Sequence, residues 1–397
     1  MAPRVVSSAE VIASNDDLLA EIFVRLPVRP LIRFQCVSKQ WLALISGRSF
    51  SHRHARRNIR SASALFLRRS SYGRSRYGLM EPEFEFDFVS FGGASDADDP
   101  LKSIGFVEIP SGLTILQSCN GLLLCSSRGC VDSNFLYYIY NPSTSKFLEL
   151  PALVGGDSPT VLAINLAFDP AKSPNYQVVC VRSTEVSVYC YQTEIYSSET
   201  GKWRLSGAPF TSQLRMVFGK GVFWNGSSIW VGLGKVFYYN LEQERFGTIP
   251  LPFELEGTRF QYFGESGGHL HLIELCESPI VHFKVFEMEK DYCGWRVKYQ
   301  IDLRPIRNAF TEVYPEYHAP FYNVGYFTFF VLSLVREEDD DAASLVLHIP
   351  GKIILFNLKD MSYKRLQDVE PTCGDIKGSL QYGWYDAFQY IESLSCV

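Results

Sequence analysis

The chain has 397 residues, 46% of them hydrophobic and 14% aromatic, enough to bury a large core and too apolar for a disordered scaffold. Its 29 Phe, 22 Tyr, 29 Gly and 20 Pro favour many short strands joined by turns over a helical bundle. The formal charge of −5 is uneven, with 14 Lys and Arg against 4 Asp and Glu in residues 1–76 and 24 against 39 in the rest.

The opening "MAPRVVSSAEVIAS" lacks the continuous apolar segment of a secretory signal, so residues 1–13 read as a flexible tail and the chain as an occupant of a reducing compartment. The ten cysteines are scattered without a C-x-x-C pair, which indicates neither a zinc site nor a disulfide ladder, and most are expected to be small buried hydrophobes. The longest apolar run, Val324 to Val335, falls far short of the roughly 20 residues that span a bilayer, so no membrane partner is expected.

In "SNDDLLAEIFVRL", Ser14 or Asn15 can cap a helix, with Asp16 and Asp17 in its first turn and Leu18, Leu19, Ile22, Phe23 and Leu26 at helical spacing. Pro27 ends it, because the ring cannot continue the hydrogen-bond ladder. Pro30 suits the first position of a second helix with the stripe Leu31, Phe34, Val37. Ser38 can cap a third, "KQWLALIS", which carries Trp41, Leu44 and Ile45 and stops at Gly47. Three helices this short are marginal alone, and 18 of the 28 residues from Leu18 to Ile45 are apolar, more than so small a unit hides internally. Either they pack on a β body or part of this surface meets a partner. The basic stretches "RHARRNIR" and "LRRSSYGRSRYG" hold few aromatics and no recognition-helix motif, so they read as a solvated junction facing an acidic partner, and no nucleic acid is expected.

The segment "DDLLAEIFVRLPVRPLIRFQCVSKQWLALISGRSF" resembles the F-box motif of cullin-RING ubiquitin ligase receptors, through Asp16 to Leu19, Leu26-Pro27, Cys36 to Lys39, Trp41 and Phe50. Ser14-Asn15 stand where the family pattern usually has Leu-Pro. The resemblance implies an F-box domain over residues 14–57 whose three helices dock on a Skp-type adaptor and through it on a cullin scaffold. It implies an adaptor-binding pool of Leu18, Leu19, Ile22, Leu26, Pro27, Leu31, Phe34, Val37, Lys39, Trp41, Leu44 and Ile45, shared between a small internal core and the adaptor face.

After residue 60 the apolar period changes from 3.6 to 2. The stretch "FLYYIYNPSTSKFLELP" reads strand, turn, strand, and the cassette recurs at Glu194 to Leu205, Lys235 to Pro252, Phe283 to Val297 and Lys352 to Leu366. Taking Tyr140, Tyr196, Tyr239, Phe286 and Phe356 as equivalent, the intervals are 56, 43, 47 and 70 residues, and the last fits one blade enlarged by the insert "REEDDDAAS". "KGVFWNGSSIWVGL" and "SGGHLHLIEL" each look like the inner pair of a four-stranded blade. "SALFLR" and "FEFDFVS", split by a basic loop, look like an incomplete first blade that the C-terminus could close. The fold expected is therefore mainly β, a small α-helical N-terminal domain followed by a six-bladed β-propeller over residues 58–397; a pair of β-sandwiches is the alternative. The order of F-box, "CNGLLL" and "YNPSTSKFLELP" also resembles the F-box-associated, Kelch-like domain of plants.

No P-loop or H-E-x-x-H string occurs, and neither a catalytic residue nor a cofactor is expected. The one metal candidate is His269 and His271 alternating along a strand, with His282, Glu265 and Glu274 near; two histidines satisfied by hydrogen bonds are the plainer reading. The acidic run Glu337 to Asp341 reads as a solvated hairpin tip. The function implied is that of a non-catalytic substrate receptor of an SCF-type E3 ubiquitin ligase, soluble in cytoplasm or nucleus, with a target protein held by the propeller. The alternative is a ligase-independent propeller module with a structural head.

Overall fold

The structure is a computed structural model and describes residues 12–58, 61–74, 80–92, 100–101, 113–128, 135–154, 161–184, 187–211, 218–232, 235–252, 259–275, 282–310, 329–336, 342–370 and 380–397. Asn15 caps the first helix, α1 (Asp16–Phe23), its side chain accepting from the Asp17 and Leu18 amides at 3.0 and 3.1 Å. The helix stops at Phe23, short of Pro27, and Pro27 instead caps α2 (Val28–Phe34). Pro30 is thus the third helical residue, where an amide would have no intrahelical partner to lose, and Val37 lies beyond the helix end. Ser38 caps α3 (Lys39–Ile45), accepting from the Trp41 amide at 3.1 Å. The basic stretch expected as a junction is a fourth helix, α4 (Arg48–Arg57), which buries Phe50, Ser51 and His54 and turns its arginines outward. Its His54 ring donates to the Leu26 carbonyl at 2.8 Å, tying α4 to the turn before α2.

The strands β1 (Ala64–Arg74) and β2 (Met80–Ser90) pair from Ala64 opposite Ser90 to Arg74 opposite Met80, so most of the basic stretch between the two apolar segments is strand rather than loop. Five four-stranded meanders follow. They are β3 (Thr114–Cys119), β4 (Leu122–Arg128), β5 (Phe135–Asn141) and β6 (Lys146–Glu149); β7 (Val161–Ala167), β8 (Gln177–Thr184), β9 (Ser187–Ser197) and β10 (Lys202–Thr211); then β11 (Val222–Trp224), β12 (Ser227–Val231), β13 (Lys235–Asn240) and β14 (Arg245–Pro250). The last two are β15 (Arg259–Ser266), β16 (His269–Leu275), β17 (His282–Met288) and β18 (Trp295–Asp302), and, after the short helix α5 (Arg304–Ala309), β19 (Phe330–Arg336), β20 (Ala343–Ile349), β21 (Lys352–Asn357) and β22 (Tyr363–Asp368). Finally β23 (Ala387–Tyr390) pairs with β1, Tyr390 opposite Ala64, and so completes blade 1 from the other end of the chain. Six blades result, with β23, β3, β7, β11, β15 and β19 in mutual contact around the axis.

Each recurring cassette is the outer two strands of one blade, and Tyr140, Tyr196, Tyr239, Phe286 and Phe356 are all buried. The long interval comes from the connection between β18 and β19, which holds α5, and not from the acidic insert; residues 337–341 lie outside the described residues. "SGGHLHLIEL" supplies a turn and β16, while the inner strand of that blade begins upstream at Arg259. The tight β3–β4 and β11–β12 turns use Asn120-Gly121 and Asn225-Gly226, all four residues at positive φ as this hairpin turn requires.

An apolar cluster fills each gap between neighbouring blades, from Phe66 with Leu123 between blades 1 and 2 round to Leu65 with Val346 between blades 6 and 1. Indole N–H groups add polar ties: Trp203 donates to the Pro151 carbonyl at 2.7 Å and Trp295 to that of Pro250 at 3.2 Å, each linking a blade to the end of the one before. Of the described cysteines, Cys119, Cys125 and Cys180 are buried as small hydrophobes, but Cys36 and Cys293 are exposed and Cys190 and Cys396 half-buried. No described helix is long and apolar enough to cross a membrane.

Candidate functional site

Strand alternation sorts the connections into two ends. The first-to-second and third-to-fourth strand turns of the five four-stranded blades share one end with the start of β1 and the finish of β23, and therefore with the head. Contacts agree: the His52 ring donates to the Pro170 carbonyl at 3.0 Å and Arg48 to Asn175 at 3.3 Å, both in the β7–β8 connection. The segment after β23 completes the joint. Asn141 Nδ2 donates to the Ser393 and Ser395 carbonyls at 3.1 and 2.7 Å, Glu392 pairs with Arg29 at 2.6 Å, and Leu394 enters the apolar core of the head. A Cβ on Gly121 would stand 2.4 Å from that of Ser393, so glycine there admits the tail. The longer blade-to-blade connections open at the opposite end.

Within the head the sequence-derived pool divides into three groups. Leu19, Leu31 and Ile45 are buried with Phe23, Val28 and Phe50; they hold the helices together. Leu26, Phe34, Trp41 and Leu44 are half-buried, and Trp41 stands edge-on to Phe23 and Phe34 at centroid distances of 4.8 and 5.6 Å. Leu18, Ile22, Pro27, Val37 and Lys39 are exposed, Leu18 at 44%, Ile22 at 46% and Val37 at 59%. Leu42, which the sequence-derived pool does not include, joins them at 46%. Gln40 donates to Asp16 at 2.7 Å, bringing the start of α3 against the start of α1. Leu18 and Ile22 on α1, Leu42 on α3 and Val37 in the turn before α3 thus stay in water, beside helices that meet at one aromatic trio.

The histidine constellation resolves differently. His269 and His271 do point the same way, but towards Glu287 on β17, at 3.2 and 3.5 Å, and away from Glu265 and Glu274. Arg336 holds the same carboxylate at 2.8 Å and Arg296 also bonds to it. Burial pushes the Glu287 carboxyl up, yet bonds from His271 and Arg296 and the neighbouring imidazoles hold it well below the usual carboxylate range. Burial keeps His271 neutral, its pKa lowered. Two guanidinium groups on the shared carboxylate make this a structural ion cluster that repels a metal cation. His282 stands apart, 3.7 Å from Asp302 at the far end of its strand. The register of β16 on β17 was the signal that could have named Glu287.

The axis itself carries a lysine and a carboxylate. Lys220, entering β11, donates to the carbonyls of Trp384 and Ala387 and sits 4.3 Å from the Phe388 ring centroid, and burial lowers its pKa to about 7. Glu265, in β15 at the other end, accepts from the Gly268 amide at 2.7 Å, and burial raises its pKa to about 7. Both line one narrow axial cavity of about 60 Å3, too small for more than a few waters.

Comparison with known proteins agrees with this architecture. The F-box domain family matches residues 15–53, and the F-box associated beta propeller domain family matches residues 100–273. F-box protein At5g07610 of Arabidopsis thaliana is 33% identical over 98% of this chain and 94% of its own length. The chain belongs to the F-box protein family. F-box protein At5g49610 from the same plant is 27% identical over 76% of this chain and 82% of its own, and F-box/kelch-repeat protein At3g23880 is 26% identical over 59% and 65%. The propeller match ends within blade 5, whereas in this F-box protein the ring continues through blade 6 and closes at Tyr390.

Proposed function

We propose that this F-box protein is the target-recognition subunit of an SCF-type E3 ubiquitin ligase, its head held by a Skp-type adaptor and, through it, a cullin scaffold. The observation that carries the reading is the exposed set Leu18, Ile22, Val37 and Leu42, left in water after the head has filled its own core. Separated surface aliphatics are ordinary, but Leu18 and Ile22 lie one turn apart on α1, whose start Gln40 ties to the start of α3, and such exposed aliphatics on touching elements suit a partner's apolar face. Pro27, Lys39 and the outer edges of Leu26, Phe34, Trp41 and Leu44 would border it. Leu19, Leu31 and Ile45 would support it from beneath.

Such a receptor performs no bond chemistry; it raises the effective concentration of a target near the conjugating enzyme. The head occupies one end of the propeller, so the target belongs on the other, where the longer loops lie. Tyr385, 53% exposed beside Trp384 at that mouth, is of the aromatic type that anchors interfaces. The test is titration of the full chain with a Skp-type adaptor. Ile22→Asp is expected to weaken binding at least tenfold with an unchanged melting temperature, because the side chain supports no core. Undiminished binding by Ile22→Asp and by Val37→Asp would overturn the reading.

A further inference from the structure

The joint between head and propeller forms an open cleft of about 350 Å3, walled by the α1–α2 turn, α4, the linker at Ser61 and Ser63, and the tail from Ile391 to Ser395. Cavities that take small organic ligands run from roughly 300 to 1,000 Å3. We propose that this joint binds a small hydroxylated anion, of the size and chemistry of a sugar phosphate or a sugar acid, and that the bound anion fixes the head on the propeller.

Three groups in the wall carry unused hydrogen-bonding capacity of a definite kind. Arg25 is exposed at the rim and, among the described residues, makes no ion pair, so a guanidinium is available to an anion. Ser63 Oγ is buried without a hydrogen-bond partner, although its backbone is fully engaged with Tyr390 and Phe91. Asn58 spends both amide hydrogens on the Val24 and His54 carbonyls, which leaves its carbonyl oxygen as an acceptor for a hydroxyl. Glu392, the carboxylate in the described wall, is already neutralised by Arg29 and so does not repel an anion. Val28 and Leu394 supply apolar surface for the carbon skeleton. A neutral sugar would leave Arg25 unanswered, and a bare anion would leave Asn58 so. The inference does not depend on the ligase reading, because binding is measured on the chain alone.

The experiment is calorimetric titration and thermal melting of the full chain with glucose 6-phosphate, gluconate, glucose and inorganic phosphate as probes. One or both hydroxylated anions are expected to bind and raise the melting temperature, the responding probe telling phosphate from carboxylate, while glucose and inorganic phosphate do little. Arg25→Ala should weaken that binding about tenfold or more, the cost of a lost charge-assisted bond, and Arg56→Ala, outside the wall, should not. Ser63→Ala should also weaken it without lowering the melting temperature of the free chain, since its hydroxyl has no partner to lose; a lowered temperature would mark it as structural. The proposal is overturned if neither hydroxylated anion binds, if binding survives Arg25→Ala, or if inorganic phosphate alone does as well.

Discussion

Ile22 and Leu31 are aliphatic residues of the same small head, and their environments assign them opposite tasks. Leu31 is fully buried among helices and tail, so Leu31→Ala should cost about 2–5 kcal/mol of head stability, read by denaturant unfolding. Ile22→Ala should stay within about 0.5 kcal/mol, as exposed substitutions do. The sequence could list both but not divide them. Helical spacing reports which side of a helix is apolar, whereas the partition depends on what covers it, and part of the cover is Leu394 from the far end of the chain. The axial placement of Lys220 and Glu265 is illegible for a related reason: Glu265 reads from the sequence as a neighbour of the strand histidines, and nothing in either local string says that it faces an axis. Their titration gives a signed expectation. Glu265 keeps its proton in the fold up to about pH 7, so its contribution to stability is present at acid pH below 4.5 and is lost as pH rises through 7. Lys220 runs the other way, its contribution present above 10.5 and lost as pH falls through about 7. Glu265→Gln keeps an acceptor for Gly268 and should flatten the decline between pH 5 and 7 in melts followed by circular dichroism.

Among elements, the strands announced themselves where a blade repeats. The aromatic strand, polar turn and bulky return recur because each outer hairpin packs against a neighbouring blade, and Trp203 and Trp295, near the starts of β10 and β18, each donate to a carbonyl at the end of the blade before. The helix α4 was missed because, of its buried positions Phe50, Ser51 and His54, only Phe50 is apolar, and its arginines dominate the composition. The tail was missed for want of any regular structure: seven residues without secondary structure are pinned to β5 through bonds from Asn141 to two of their carbonyls, and they hold the head by an ion pair and Leu394. Removing Ile391 to Val397 leaves β23 and the closed ring intact. Hydrogen exchange should then quicken throughout α1 to α4 while β4, β8 and β20 keep their protection; unchanged exchange in the head would show that the tail is no part of its core.

At the scale of the whole molecule, the ring closes through residues more than three hundred positions apart, so head and tail emerge at one end of the propeller. This is the geometric basis of the functional reading: a helical head with an uncovered apolar surface is anchored on one end and the longer loops open on the other. Blade number and closure could be anticipated from repeat spacing. The direction of the two ends could not, because it follows from strand alternation together with contacts to the β7–β8 connection. The measurement that tests the central claim is light scattering on mixtures of the full chain with a Skp-type adaptor and a cullin scaffold. Wild type should join a single complex containing one copy of each, and Ile22→Asp combined with Val37→Asp should elute alone, still folded. A wild-type chain that stays apart from the adaptor, or a double variant that joins the complex unimpaired, would contradict the account.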